Sequence, residues 1–291
     1  MSARFKAACI QMTSVAAIET NVSAASELVR RAREQGADLI MTPEVSDMIE
    51  PKRALAVDKA RQEDQNAMVA AFRDLARETG AWLLLGSAVI RDKNAERLSN
   101  RSFLISPQGE IAARYDKIHM FDVDLQTGER HRESQTYKPG DKAVVAELPW
   151  GRLGMTICYD MRFPHLYRAL AKAGADFLAV PSAFTVPTGR AHWHILLRAR
   201  AIENGCFVFA AAQAGLHENK RETFGHSLII APWGEVLAEG GVEPGVFMAK
   251  IDPTLVETAR QTVPSLQHGR RFSVADPKSG PDHLHLVRGS A

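Results

Sequence analysis

The stretch TICYDMRFP, residues 156–164, places Cys158 where an apolar, β-branched run gives way to charge. A thiol in such a position is either a small core residue or a nucleophile, and the second use sets requirements that can be searched for along the chain. A cysteine attacking an electrophilic carbon needs a group to accept its proton and a cation or N–H donors to hold the oxyanion that forms. Glu44, in TPE, and Lys117, in YDKIHMFDVD, supply a carboxylate and an ammonium without recourse to histidine. A free thiol with a pKa of about 8.5 is mostly protonated at neutral pH, so the expectation is that the lysine lowers that value while the carboxylate collects the proton.

The elements that must bring these residues together show up as an internal repeat. GADLIMTPE (36–44) resembles GADFLAVPS (174–182), ETGAWLLLGSAV (78–89) resembles ENGCFVFAAAQA (203–214), and SFLISPQGEIAAR (102–114) aligns without gaps on SLIIAPWGEVLAE (227–239). The last pair predicts two β-hairpins whose glycines permit the turn. Each half also opens with a strand and a helix: FKAACIQM before ETNVSAASELVRRAREQ, and RLGMTICY before PHLYRALAKA, where Pro164 suits a first helical turn. The common unit is β-α-β-α-β plus a hairpin. Its helices cover only one sheet face, so two units bury their free faces against each other as an α/β fold, a four-layer α-β-β-α sandwich with pseudo-duplicated halves.

Within such a frame, chemistry belongs where equivalent strand ends differ. Glu44 is matched by the neutral Ser182, Cys158 by Cys9 or its neighbours, and Lys117 follows a hairpin whose counterpart runs into EGGVEPG. The bulk properties exclude other roles. With 36 Lys plus Arg against 34 Asp plus Glu, the net charge of +2 supplies no field for nucleic acid or an anionic membrane. The longest apolar stretch, 83–90, is far short of the roughly 20 residues of a spanning helix. MSARFKAACIQM lacks the apolar region and cleavage site of an export signal. Cys9, Cys158 and Cys206 form neither a disulfide framework nor a zinc motif, which fits a reducing cytoplasm.

TPE around Glu44, YDKIHMFDVD around Lys117 and GMTICYDMRFP around Cys158, in that order between Phe5 and Phe272, resemble the nitrilase or carbon–nitrogen hydrolase superfamily. The resemblance implies a Glu44–Lys117–Cys158 triad on the sandwich inferred above, with Glu133 of HRESQTYKPGD as a second glutamate near the lysine. It implies one hydrolase domain over residues 1–272 followed by an extension, 273–291, and a reaction needing no metal or organic cofactor. PSAFTVPTGRAHWHILLRARAIENGCFVFAAAQAGLHENKRETFGHS followed by PWGEV is most similar to the Nit-type amidases that act on deaminated glutathione. ω-Amidases acting on α-ketoglutaramate come next, and N-carbamoyl amidohydrolases and nitrilases lie in the same superfamily. Thr42 stands where members commonly have leucine, and Val45-Ser46-Asp47 also departs from the pattern; both bear on substrate shape.

By this analogy the substrate is a small amide bearing carboxylates. Arg162, His119 or Arg190 would hold a carboxylate, Phe184 would wall the pocket, and the Tyr159 N–H would join Lys117 at the oxyanion. His192, Trp193 and His194 read as packing and interface residues, since positions i and i+2 of a helix do not face one way. The helix from Trp193 to Ile202 offers a surface for a homodimer or higher homo-oligomer. Two further readings stay open at the level of sequence: a non-catalytic binding protein on the same sandwich, and a Cys-His peptidase using His165 or His226, which requires Glu44 and Lys117 to be remote from the thiol.

Overall fold

The computed structural model describes residues 3–125, 128–275 and 284–285. The first half runs β1 (Phe5–Gln11), α1 (Ile18–Glu34), β2 (Leu39–Met41), α2 (Arg53–Lys59), α3 (Ala67–Thr79), β3 (Trp82–Ile90), β4 (Ser99–Ile105) and β5 (Ile111–Asp116). A small ribbon, β6 (Asp122–Asp124) with β7 (Arg130–Arg132), and β8 (Val144–Leu148) lead into the second half. That half runs β9 (Gly151–Met155), α4 (Pro164–Lys172), β10 (Phe177–Ala179), α5 (Val186–Asn204), β11 (Phe207–Ala210), β12 (Ala214–Leu216), β13 (Glu222–Phe224), β14 (Leu228–Ile230) and β15 (Val236–Glu239). The core closes with β16 (Gly245–Ile251) and α6 (Thr254–Thr262). Past α6, the pair Val274–Ala275 and Leu284–His285 is antiparallel; the rest of 274–291 lies outside the described residues.

Strand order is β16-β1-β2-β3-β4-β5 in one sheet and β8-β9-β10-β11-β14-β15 in the other, so the two halves repeat the same arrangement. After its hairpin each half contributes a strand to the opposite sheet: β8 pairs with β9, and β16 returns to pair with β1. Period-two alternation decides which layer each side chain enters. Ala8, Ile10, Ile40, Leu83 and Leu85 meet Ala25, Val29 and Ala32 of α1 and Phe72, Leu75 and Ala76 of α3. The intervening Ala7, Cys9, Met41 and Leu84 face the second sheet and share its core with Leu153, Met155 and Phe177. The α-β-β-α sandwich follows from this alternation. Helix ends agree with local chemistry: Asn66 caps α3 by accepting from the Met68 and Val69 amides, and Gly80 ends it at φ +65°. Among the described residues no helix is long and apolar enough to cross a membrane.

Pairing register sharpens the comparison of halves. Cys9 lies opposite Met41, as Met155 lies opposite Ala179, so Cys9 is equivalent to Met155 and the position matching Cys158 is Met12. Glu44 and Ser182 do correspond, each three residues past its strand. Cys9 is a core thiol whose Sγ contacts the Leu228 carbonyl, and burial pushes its pKa up to about 12. Cys206 is likewise buried and raised to about 12.

The halves approach closely at Gly86, in the irregular stretch of β3 between Leu85 and Ala88. A Cβ there would fall 2.0 Å from the Thr42 carbonyl oxygen, 2.3 Å from that of Pro43 and 2.6 Å from Pro181 Cβ of the second half. Only glycine lets these strand ends converge. Gly86→Ala is expected to destabilise the protein by about 1–3 kcal/mol or more, measured by urea denaturation; an unchanged midpoint would show that the close approach is dispensable.

Candidate active site

Three turns beyond strand ends converge between the sheets. Past β2, Glu44 precedes Val45, a β-branched residue held at φ +48° by the Ser87 hydroxyl, which accepts the Val45 N–H at 2.7 Å. Past β9, Cys158 itself sits at φ +50° and begins a 3₁₀ turn, Cys158–Arg162. Such backbone costs a non-glycine residue about 1–2 kcal/mol, so it persists only where neighbours over-determine it. At Cys158 the neighbours are the Pro181 carbonyl, which accepts its N–H at 2.9 Å, and the fully buried Asp160. Asp160 accepts from the Ile157 amide, the Tyr115 hydroxyl and the His119 amide at 2.9, 2.7 and 3.0 Å. Lys117 follows β5 directly, its N–H bonded to the Asn100 carbonyl.

The resulting cluster is nearly dry: Glu44 is 5%, Lys117 2% and Cys158 8% exposed. Lys117 Nζ donates to Glu44 Oε1 at 2.8 Å and to Glu133 Oε1 and Oε2 at 2.9 and 2.8 Å. Glu44 Oε2 accepts the Ala183 amide at 2.9 Å, and the Glu44 carboxylate lies close enough to the Cys158 thiol for each to act on the other's proton affinity. Burial alone would raise the Glu44 pKa, but the charge and hydrogen bond of Lys117 hold it below the ordinary carboxylate value. Desolvation of Lys117 is outweighed by Glu133 and Glu44, which keep it charged well above its usual range. The thiol departs from the sequence expectation: burial, then the Glu44 charge, push Cys158 up by more than Lys117 pulls it down. At rest the group therefore holds a protonated thiol against an ionised carboxylate, an arrangement able to pass the proton to Glu44 when sulfur attacks an electrophile.

Cys158, Glu44 and Lys117 open onto a cavity of about 880 Å³ also lined by Glu133, Tyr159, Phe184 and Arg190. The carbon–nitrogen hydrolase family model matches residues 6–261. The chain belongs to the carbon–nitrogen hydrolase family. It is 44% identical over 84% of its length to a deaminated glutathione amidase of Yersinia enterocolitica, covering 85% of that protein. Among solved structures it resembles the C. elegans NitFhit protein, with TM-score 0.85 and 37% identity, over 95% of this chain and 69% of that one. It also resembles an amidase from Nesterenkonia sp. AN1, with TM-score 0.78 and 26% identity, over 93% and 96% of the two chains; that structure has the acetamide moiety of fluoroacetamide added covalently at its active site cysteine.

The hydrolase is thus an enzyme acting on C–N bonds, and its geometry sorts the residues expected from sequence. Glu44, Lys117, Glu133 and Cys158 are brought together; Tyr159, Phe184 and Arg190 line the same cavity. Arg162 and His119 do not line it. Arg162 lies over the Phe184 and Tyr159 rings and bonds His192, while His119 is 2.7 Å from Asp160 and stacks on Phe163 at 3.5 Å. Their polar groups are engaged by residues next to the cavity wall. Glu44 and Lys117 are adjacent to the thiol, so the condition for a Cys-His peptidase is not met.

Sequence reasoning missed Asn100, whose Nδ2 donates to Glu44 Oε1 at 2.9 Å and to Glu133 Oε1 at 3.4 Å. The gapless hairpin alignment carried a signal, since Asn100 falls opposite Gly225. It also missed the ribbons β6–β7 and β12–β13, whose Arg130, Arg132 and Glu222 line the cavity. Asp47, two residues beyond the odd Val45, is a further buried carboxyl: it accepts the Val89 and Met48 amides and Asn66 Nδ2, fixing the Glu44 turn to β3 and the cap of α3. Burial pushes it up to about 6 despite those bonds. A raised carboxyl stabilises the hydrolase fully below pH 3.8, its unfolded value, and that contribution is lost as pH rises through about 6. Asp47→Asn is expected to remove a stability change on the order of 3 kcal/mol between pH 4 and pH 7, read from denaturation curves at both values; parallel pH profiles for the two proteins would contradict this.

Proposed function

We propose that this enzyme is a thiol amidase that removes ammonia from a small carboxylate-bearing amide, with deaminated glutathione as substrate. The observation that carries the reading is that Cys158, Glu44 and Lys117 line one cavity, with Lys117 Nζ 2.8 Å from Glu44 and the thiol held protonated beside that ionised carboxylate. The substrate class is supported by the relatives named deaminated glutathione amidase and by Arg53, Arg190 and Lys220, which line the cavity with no carboxylate partner among the described residues.

In the proposed cycle the amide carbon approaches the thiol, Glu44 takes the proton as the C–S bond forms, and the carbonyl oxygen becomes an oxyanion. Lys117 and the Tyr159 N–H hold that charge in a site too dry for water to screen it. Glu44 returns the proton to nitrogen, the C–N bond breaks, and ammonia leaves a thioester on Cys158. Glu44 then deprotonates water, which adds to the thioester carbon; collapse releases the carboxylic acid and restores the thiol. Glu133 keeps Lys117 charged and aimed while Glu44 is transiently neutral. We assign the domain to residues 1–272. The three free cysteines support a cytoplasmic setting, and the exposed Ile195 and Ile202 of α5 support pairing of two copies along that helix.

The decisive assay measures ammonia release from deaminated glutathione, α-ketoglutaramate and an N-carbamoyl amino acid. Deaminated glutathione should give the highest kcat/KM; a preference for either other substrate would replace the assignment. Cys158→Ala should lower activity more than about 10⁴-fold with the fold retained. Lys117→Met should abolish acyl-enzyme formation, and a product burst from it would remove the lysine from the mechanism. Arg190→Ala should raise KM up to about tenfold with kcat little changed, as expected for a partly exposed cation that binds substrate and transition state equally.

A further inference from the structure

Outside the cavity, α5, the connection from β13 to β14 and the end of β15 each deliver one metal-ligating side chain to a single place. His194 Nε2 lies 2.9 Å and His226 Nδ1 3.2 Å from Glu239 Oε1, and the three ligating atoms all fall within 4.8 Å of one another. A tetrahedral ion with ligands at about 2.0–2.1 Å sets them roughly 3.3 Å apart. The two spacings to Glu239 already stand near that value.

The cluster is held from behind. His226 has a left-handed backbone at φ +54°, donates its N–H to the Gly241 carbonyl and accepts the indole N–H of the buried Trp193, both at 2.8 Å. Its ring stacks on Phe224 at 4.4 Å, and the His194 ring meets Phe224 and His226 edge-on. Glu239 makes no ion pair with lysine or arginine among the described residues. Burial acts to raise its pKa, but the bonds from His194 and His226 prevail and hold it below the usual carboxylate value. The side chains of His194, His226 and Glu239 remain 36%, 26% and 43% exposed, so an ion can reach them and keep a water in its fourth position.

The geometry points to a zinc-class divalent cation site formed by His194, His226 and Glu239, apart from the Cys158 centre and outside its chemistry. Two imidazoles and one carboxylate suit zinc and its neighbours, whereas calcium and magnesium favour all-oxygen shells. The HWH triplet alone does not make the site: His192 turns to Arg162, and the second imidazole comes from His226. A bound ion would cross-link α5 to the second hairpin, and the Phe224 N–H to Phe184 carbonyl bond at 2.9 Å connects that point to the cavity wall.

The test is equilibrium dialysis of the chelator-stripped full chain against zinc chloride, with bound metal measured by mass spectrometry. Cys158→Ala separates this site from binding at the reactive thiol; His194→Gln, His226→Asn, which tolerates the left-handed backbone, and Glu239→Gln remove one ligand each. The expected result is about one zinc per chain in the wild type and in Cys158→Ala, and binding weakened at least about tenfold in each ligand variant. Ammonia release by His194→Gln and Glu239→Gln should stay within about twofold of wild type, which certifies their fold. Cobalt in place of zinc should give a spectrum without thiolate charge-transfer bands. Absence of zinc from the wild type, its loss in Cys158→Ala alone, or unchanged affinity in all three ligand variants would overturn the assignment.

Discussion

A single ammonium group, Lys117 Nζ, is buried between two carboxylates, and the rest of the site depends on that charge being there. An ion withdrawn from water costs several kcal/mol unless neighbours replace its hydration, and Glu44 and Glu133 do so with three hydrogen bonds of 2.8–2.9 Å. The excess negative charge is in turn met by Asn100 Nδ2 and the amides of Ala183 and Phe121. The electrostatic state of the cluster follows. Lys117 keeps Glu44 ionised, and Glu44 in turn helps keep the neighbouring thiol protonated. Cys9 is buried with no charged group acting on it, and Cys206 accepts from the Arg260 guanidinium at 3.1 Å; burial raises both thiols.

Holding three chain segments at one dry point imposes a conformational cost that the fold absorbs locally. Val45 and Cys158 occupy left-handed backbone, each beside a residue of the cluster or within it. Asp160 binds the Cys158 turn, and Asp47 with Ser87 binds the Glu44 turn, so each strained loop has its own buried acceptor or hydroxyl. Gly86 removes the atom that would keep the two halves apart. Pseudo-symmetry supplies the frame: equivalent strand ends meet across the sandwich, one half contributing Glu44 and Lys117, the other Cys158.

The same economy explains the residues that sit near the site without facing it. Arg162 and His119 carry the right chemistry for a carboxylate ligand, but one is stacked over Phe184 and Tyr159 and the other is bonded to Asp160. Both stiffen the cavity wall. The cations that do line the cavity without a carboxylate partner among the described residues include Arg53 at the start of α2, Arg190 in α5 and Lys220 between β12 and β13.

The sequence by itself determined the layers and singled out the charged groups and the thiol that the fold brings together. Apolar alternation in β1 and β3 and the helical faces of α1 and α3 encode burial locally, and a repeat inside one chain can be compared with itself, so Glu44, Lys117 and Cys158 stood out against their counterparts. Only the tertiary structure decided what each polar side chain spends its hydrogen bonds on. Asn100, Asp47 and Asp160 are isolated letters until partners as distant as 56 residues, in the case of Asn100 and Glu44, are brought to 2.9 Å. The thiol's protonation was decided at the same level. Sequence shows a lysine that lowers a pKa, but burial and the charge of Glu44 act through space, and their magnitudes exist only once the chain has folded around them.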